Sequence, residues 1–338
     1  MENSCALRSL LRWCVALSAL ALVLASAGKA LAQAGGTFTL YTSEYMDKVN
    51  EMKLDFEKRN PGLTVNIYRS GTQVVISKLQ AEFQAGGTLA DMIWMADIDY
   101  FEDLAKKGLL IPYLPSEGDK VPAKFKYEEG RYHEVRLIFN TVGYNTLRVK
   151  ARPVSWHDLT DPQFKDKAGV ASPFYSGAAF STLGTQVNMP GFGWEFYRKL
   201  KRNGVIIEQS NGTVAQKLAT GEFHVVSVVD FMVREAKAAG SPVEHIWPKE
   251  GAILVPTPVG ILKGAKNPEG ARAFLRYLYS PDGQRLFVKQ GYVPVLPGIE
   301  GPKGVPSEKL EVVLTDQPYI SKHREELKAK YRELFELK

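Results

Sequence analysis

Small hydroxyl and amide side chains stand beside glycine at several places in this chain, each between a predicted strand and a predicted helix. The start of a helix exposes backbone N–H groups that have no intrahelical partner, and it carries a partial positive charge. Glycine lets a ligand approach the backbone closely. Several such helix starts facing one cleft would bind the oxygens of a phosphate, phosphonate or carboxylate, although each one alone is also an ordinary helix cap. The residues concerned are Thr42 and Ser43, Ser70 to Thr72 with Gly71, Ser176 and Gly177, and Asn211 to Thr213 with Gly212.

The chain contains no sequence motif of a familiar catalytic centre or nucleotide site. It has no Gly-x-Ser-x-Gly, His-Glu-x-x-His, Walker or Gly-x-Gly-x-x-Gly signature. Its five histidines are irregularly spaced, and both cysteines, Cys5 and Cys14, precede residue 33. The chain from Gln33 onward therefore offers no thiolate as a nucleophile or metal ligand. We predict no catalytic residue, no metal site and no cofactor.

The overall composition is that of an ordinary globular protein. The 338 residues carry 43 Lys and Arg against 37 Asp and Glu, a net charge of +6, and 45% of them are hydrophobic. This composition excludes a fully disordered chain, a collagen-like repeat and a polytopic membrane protein. No block of five or six like charges occurs, so we predict no nucleic-acid partner.

The N-terminal 32 residues have the pattern of a secretory signal peptide. Arg8 and Arg12 precede an apolar run from Trp13 to Ala27, and small residues follow at Ala30 and Ala32. The run of about 15 residues is shorter than the roughly 20 that a membrane-spanning helix needs. We therefore favour a signal peptide cleaved after Ala32 over a membrane anchor, and we predict a periplasmic protein.

Predicted strands and helices alternate along the rest of the chain, which is typical of an α/β fold. The nearly continuous apolar run at residues 90–95 indicates a strand in the middle of a parallel sheet, and residues 224–229 form another apolar strand. The pattern changes near residues 135–145 and again near 250–262, where we expect the chain to cross between two lobes. We predict residues 33–138 plus about 255–338 in lobe 1 and residues 139–254 in lobe 2, with the ligand cleft between them.

The segments between residues 37 and 295 resemble periplasmic solute-binding proteins of ABC transporters. The similarity is greatest to the branch that contains ferric-iron-binding proteins and their relatives for phosphonates and phosphorylated sugars. It implies a type II periplasmic-binding-protein fold, in which two open mixed sheets are flanked by helices. It also implies a monomer that delivers a small anionic ligand to a membrane-embedded ABC permease with its ATPase. The segments that carry the resemblance are LYTS, RSGT followed by SKLQAE, ADMIWMAD, SPFYSGAAF, NGTVAQKLATGEFHVV, and NPEGARAFLRYLYSPDGQ through GYVPV.

The resemblance also implies roles for particular residues. Ser176, Gly177 and Asn211 fall where relatives hold a phosphate-like anion, and Ser43, Gly71 and Thr72 would face them from the other lobe. Asp97 and Asp230 follow predicted strands and would meet an ammonium group or sugar hydroxyls, unless they serve as helix caps or in a salt bridge between lobes. We expect Asp230→Ala to weaken binding with little effect on stability. Tyr175, Phe231 and Trp94 are the aromatic residues that would form walls of the cleft, although the apolar strand around Trp94 favours a place in the core for that residue.

The sequence differs from its ferric-binding relatives at the positions of their iron ligands. Ferric-binding relatives use two adjacent tyrosines, a histidine and a glutamate, and this chain has Phe231 and Met232, Tyr45 and Ala96 at those positions. Phenylalanine and methionine give hard ferric iron no anionic oxygen. A non-standard site built from Tyr45, Asp97 and Asp230 stays open as the alternative function.

Two further alternatives come from other classes of protein. A secreted enzyme on the same fold is disfavoured, because thiaminase-like enzymes use a cysteine nucleophile and no histidine is expected near Ser176. A sensor that reports the ligand to a membrane receptor would use the same binding chemistry, and the sequence leaves that role open.

Overall fold

The computed structural model describes residues 35–127, 130–305 and 312–337. The predicted signal peptide, with both cysteines, lies outside the described residues. Among the residues that are described, no helix is long and apolar enough to cross a membrane.

The described chain contains short strands and helices that alternate over most of its length. The strands are β1 (Gly36–Thr42), β2 (Leu63–Arg69), β3 (Met92–Trp94), β4 (Tyr132–His133), β5 (Arg136–Leu137), β6 (Phe139–Asn145), β7 (Ala168–Ala171), β8 (Ile206–Glu208), β9 (Val225–Val229), β10 (Val243–Ile246), β11 (Ala252–Leu254), β12 (Val259–Ile261), β13 (Val293–Pro294) and β14 (Val312–Val313). The helices are α1 (Met46–Arg59), α2 (Thr72–Gln84), α3 (Ile98–Lys106), α4 (Gly177–Asn188), α5 (Gly193–Arg202), α6 (Asn211–Thr220), α7 (Asp230–Ala238), α8 (Pro268–Tyr279), α9 (Pro281–Lys289), α10 (Gln317–Lys322) and α11 (Arg324–Phe335).

The first sheet has the strand order β2-β1-β3-β12-β4. Strand β1 pairs in parallel with β2 and β3, while β12 is antiparallel to β3 and β4. Helix α1 forms because Val49, Met52 and Phe56 recur at helical spacing and are buried on one side. Phe56 packs on Phe38 of β1 and on Phe274 of α8. We call this sheet, together with α1, α2, α3, α8 and α9, lobe 1.

The second sheet has the order β14-β11-β6-β9-β7-β8, and β10 pairs with β6. Its central strands β6 and β9 are buried along their whole length, which explains the apolar sequence VVSVV of β9. Trp156, fully buried, anchors the core beside Phe196 and Tyr331. We call this sheet, together with α4 to α7, α10 and α11, lobe 2.

The last described residues lie on lobe 2, which differs from the predicted return of residues 255–338 to lobe 1. Strand β12 joins the first sheet, and α8 packs on β1 and β12 of that sheet. Strand β14, however, pairs with β11 of the second sheet, and α11 packs on α4 and α5. The reason is the apolar side of α11, where Leu327 and Tyr331 are buried against lobe 2. The other predicted lobe boundaries stay a prediction.

Candidate ligand-binding site

A cavity of about 440 Å³ lies between the two lobes. Lobe 1 contributes the loop that follows β1 and the start of α2. Lobe 2 contributes the starts of α4, α6 and α7. The lining residues that the sequence analysis named are Ser43, Gly71, Thr72, Tyr175, Ser176, Gly177, Asn211 and Phe231.

Four helices of the described chain begin at this cavity, and three of them start beside a glycine or serine that lines it. Helix α2 starts directly after Gly71, α4 directly after Ser176, and α6 directly after Ser210. The first-turn N–H groups of a helix have no acceptor within the helix, and the dipole adds partial positive charge at that end. The convergence of helix starts that the sequence indicated is therefore present. Ser43 also lines the cavity, but it accepts from the N–H of Ala96 and α1 begins only at Met46.

The hydroxyl oxygen of Ser176 accepts two hydrogen bonds at the cavity wall. Its Oγ accepts from the N–H of Ala179 at 3.2 Å, which caps α4, and from Nδ2 of Asn211 at 3.0 Å. A serine oxygen has two acceptor lone pairs and one O–H. Both lone pairs are engaged, so the hydroxyl hydrogen is the group left to donate. Ser176 thus serves as an ordinary cap and as part of the cavity wall.

The glycine at residue 177 allows the two lobes to touch. A Cβ at this position would lie 1.8 Å from the carbonyl oxygen of Ala96 in lobe 1, closer than any side chain tolerates. At Gly71 a Cβ would lie 3.5 Å from the carbonyl oxygen of Tyr175 in lobe 2, an ordinary contact. The need for glycine is therefore strict at residue 177, and its cause is the contact between lobes.

Two arginines at the cavity were missed by the sequence analysis. Arg69 ends β2, its Nε donates to the backbone oxygen of Glu44 at 2.9 Å, and it forms no ion pair with any described residue. Arg136 is 1% exposed and forms an ion pair with Glu44. Its Nη1 donates to Oγ1 of Thr257 at 2.8 Å, and its guanidinium lies 4.2 Å from the ring centroid of Tyr292. A charged residue within the apolar stretch VRLIF was the only available signal for Arg136.

The structure does not bring Asp97 or Asp230 to the cavity. Asp97 caps α3 through the N–H of Tyr100 and pairs with Arg324 at 2.6 Å. Asp230 is fully buried, where it accepts from the N–H of Phe139 at 2.9 Å and pairs with Arg234 at 2.6 Å. Capping and a lobe-to-lobe salt bridge were among the roles predicted for these carboxylates. Asp97 does both.

The aromatic residues at the site divide into wall and core. Tyr175 lines the cavity and is half exposed, while Phe231 is buried between the rings of Tyr45 and Tyr292, at 5.7 and 4.5 Å. Trp94 is buried, as predicted for a core residue. Burial raises the pKa of Tyr45 well above its ordinary value, so its phenol stays protonated.

Within the described residues, no group of three or more His, Cys, Asp or Glu side chains is placed to hold a metal ion. The oxygen site considered for iron would need Tyr45, Asp97 and Asp230 together. Of these three, only Tyr45 lines the cavity.

Residues 87–319 match the family model of the bacterial extracellular solute-binding proteins. The chain belongs to this family. Its resemblance to periplasmic solute-binding proteins of ABC transporters is thereby confirmed, and so is the predicted α/β fold of two lobes.

Curated relatives of this solute-binding protein carry names that refer to different ligands. It is 26% identical over 310 residues to spermidine/putrescine-binding periplasmic protein 1 of Haemophilus influenzae, covering 86% of this chain and 82% of the relative. It is 25% identical over 248 residues to a putative 2-aminoethylphosphonate-binding periplasmic protein of Salmonella typhimurium, covering 69% and 70%.

Solved structures share the fold. The periplasmic binding protein AfuA of Actinobacillus pleuropneumoniae, with fructose-6-phosphate bound, aligns with a TM-score of 0.80 and 24% identity over 90% of this chain and 99% of AfuA. Iron-bound HitA of Pseudomonas aeruginosa aligns with a TM-score of 0.77 and 20% identity over 88% of this chain and 99% of HitA.

Proposed function

We propose that this protein is the periplasmic binding component of an ABC importer and that it captures a small organic anion of the phosphonate or phosphorylated-sugar type. The observation that carries the proposal is the arrival of three helix starts at one cavity between the lobes, next to the donor hydroxyl of Ser176. Each of these groups donates hydrogen bonds, and an anion with several oxygens accepts them.

The formal charges around the cavity favour the same class of ligand. Arg136 is balanced by Glu44, whereas Arg69 has no carboxylate partner among the described residues. The cavity wall therefore carries an excess of positive charge. A polyamine needs acceptors and negative charge, and Glu44 is the only carboxylate among the lining residues, already paired with an arginine. These observations favour an anion over a polycation, although one relative is named for spermidine and putrescine.

Transport follows from closure of the lobes around the ligand. The ligand contacts Gly71 and Thr72 from lobe 1 and Ser176 and Asn211 from lobe 2, and it shifts the equilibrium toward the closed form by its extra affinity for that form. The closed form docks on the membrane permease and releases the ligand there. The mechanism requires no bond to be made or broken.

A thermal-shift screen followed by calorimetry tests the proposal. The panel holds phosphate, alkylphosphonates, glucose-6-phosphate, spermidine and ferric citrate, with citrate alone as its control. A ligand at 100 times its Kd adds about 2.7 kcal/mol to the free energy of unfolding. We expect phosphonates or sugar phosphates to raise the Tm. A response to spermidine or to ferric iron alone would refute the anion assignment.

The variant Arg69→Gln links the response to this cavity. Loss of one charge-assisted interaction should weaken anion binding by about tenfold to a hundredfold. Lys322→Gln is the matched control, because it removes the same charge from an exposed position on α10 outside the cavity. Equal binding by the two variants would place the anion elsewhere.

A further inference from the structure

Glu44 is fixed at the cavity by contacts on its backbone and its side chain. It lies in the loop between β1 and α1 and is 6% exposed. Its N–H donates to Oγ1 of Thr42 at 3.0 Å, and its carbonyl oxygen accepts from Nε of Arg69. These contacts leave the side chain little freedom to turn away from the cavity that it lines.

The two carboxylate oxygens of Glu44 have different surroundings. Oε2 accepts from Nη2 of Arg136, while Oε1 accepts no hydrogen bond from any described residue. Oε1 is not fully buried, so it is open to the cavity, where water or a donor group of a ligand satisfies it. Because Glu44 lines the cavity, a donor group of the ligand that displaces this water would pair with Oε1.

The ion pair with Arg136 makes Glu44 compatible with an anionic ligand. Arg136 is itself fully buried and fixed by Thr257 and Tyr292, so its charge stays beside the carboxylate. The pair is neutral as a whole and does not repel a phosphonate bound at the helix starts. Oε1 nevertheless keeps its geometry and its strength as an acceptor.

We propose that Glu44 determines specificity by accepting a hydrogen bond from a second group of the ligand, an ammonium or a hydroxyl. This inference rests on the proposed function and narrows it, because the ligand must then carry both an anionic group and a hydrogen-bond donor. It also assigns to Glu44 the role that the sequence analysis gave to Asp97 and Asp230.

A series of three phosphonates tests, on the unaltered protein, whether Glu44 accepts a hydrogen bond from a second group of the ligand. The compounds are 2-aminoethylphosphonate, 2-hydroxyethylphosphonate and ethylphosphonate, which share the anion and differ only in the second group. We expect the amine or the alcohol to bind about tenfold to a hundredfold more tightly than ethylphosphonate, as measured by calorimetry. Equal affinities for all three would overturn the role of Glu44 and leave the anion site standing. No binding by any of them, nor by glucose-6-phosphate, would overturn the proposed function itself.

The variant Glu44→Gln adds a test from the side of the protein. We expect the preference for the amine or alcohol over ethylphosphonate to fall toward one, because the charged acceptor is lost. Glu102→Gln on α3, outside the cavity, is the matched control and should keep the preference. A Glu44→Gln variant that folds, by circular dichroism and melting, and keeps the full preference would overturn the proposal. If this variant does not fold, the phosphonate series alone decides.

Discussion

Arg136 and Arg324 both bind carboxylates of lobe 1, but they stand in different relation to the cleft. Arg136 lies on β5, and it contacts Glu44, in the loop between β1 and α1, and Tyr292, which follows α9. Arg324 begins α11, which packs on lobe 2, and it reaches across to Asp97 at 2.6 Å and Asp99 at 2.8 Å. The first pair shapes the cavity from within one lobe, and the second joins the two lobes at the rim.

Because one arginine contacts a single lobe and the other joins both lobes, the two control different properties of the protein. The ion pair of Arg136 with Glu44 is kept whether the lobes are together or apart, so its loss lowers the free energy of unfolding. The contacts of Arg324 with lobe 1 exist only while the lobes are together, so their loss mainly destabilises the closed form. Gln73 connects the two regions, since it lines the cavity and its Nε2 donates to Asp97 at 3.2 Å.

The largest effect is expected from Arg136→Met. Removal of the guanidinium leaves Glu44 buried without its counter-charge, which should lower the free energy of unfolding by about 3–5 kcal/mol. Urea unfolding measures this loss. The control is Arg285→Met, whose ion pair with Asp282 is exposed and contributes about 0–1 kcal/mol. Similar losses in both variants would mean that the buried pair does not stabilise lobe 1.

We expect Asp230→Ala to lower the free energy of unfolding by an amount comparable to Arg136→Met. The sequence alone predicted little change in stability for this variant. Asp230 is fully buried, and its removal leaves the N–H of Phe139 without its acceptor and Arg234 without its counter-charge, with only the carbonyl oxygen of Gly291 still accepting from Nη2. The cost should be about 3 kcal/mol. Asp282→Ala, at the exposed start of α9, is the control and should cost less than about 1 kcal/mol. A stable Asp230→Ala protein with weakened binding would restore the original interpretation.

Arg324→Gln tests the contact of Arg324 with Asp97 and Asp99 between the lobes. Loss of this contact destabilises the closed form, and we expect the Kd of the ligand to rise about 5- to 30-fold, equivalent to about 1–2 kcal/mol. The unfolding free energy should change less than in Arg136→Met. Lys322→Gln is again the control of equal charge. A Kd equal to that of the control would show that Arg324 does not favour closure.

The smallest expected effect is a pH dependence that arises from Asp99. Burial raises the pKa of Asp99 to about 6, against the opposing effect of Arg324, and Asp97 and Glu102 raise it further. Asp103, Glu325 and Lys328 line the same pocket. Because the folded protein holds this proton more tightly than the unfolded chain, ionised Asp99 disfavours folding above pH 6, and that cost disappears toward pH 4.

Asp99→Asn isolates this effect. The unfolding free energy of the unaltered protein, relative to that of Asp99→Asn, should fall by about 1–2 kcal/mol between pH 4 and pH 7. Denaturant unfolding at several pH values measures it. A difference that rises with pH over this interval would mean that the ion pair with Arg324 outweighs burial.

Local patterns were sufficient for much of the fold and part of the site. The apolar spacing of α1 and its stop near Asn60 follow from contacts within one helix. The helix starts at Gly71, Ser176 and Ser210 are likewise local, because capping and glycine act over three or four residues. Their convergence on one cavity was predicted from the two-lobed resemblance, and the structure brings the named residues together.

The charged residues of the site could not be found in this way. Asp97 and Asp230 follow strands, as predicted, but each turns toward an arginine, Arg324 in one case and Arg234 in the other. Glu44 and Arg136 stand 92 positions apart, and nothing in either segment indicates the other. Electrostatic pairing depends on distance in space, which a linear pattern does not contain.

The sequence alone was enough to predict the alternation of strands and helices, the helix starts and the class of protein, because these depend on residues that are near one another along the chain. The three-dimensional structure is needed to see that α11 packs on lobe 2 and that Arg324 contacts Asp97 and Asp99 across the cleft. The three-dimensional structure is also needed to see that Glu44 is the carboxylate that lines the cavity. Both outcomes depend on which apolar surface and which counter-charge come within reach after the sheets have formed, and those partners lie far away in the sequence.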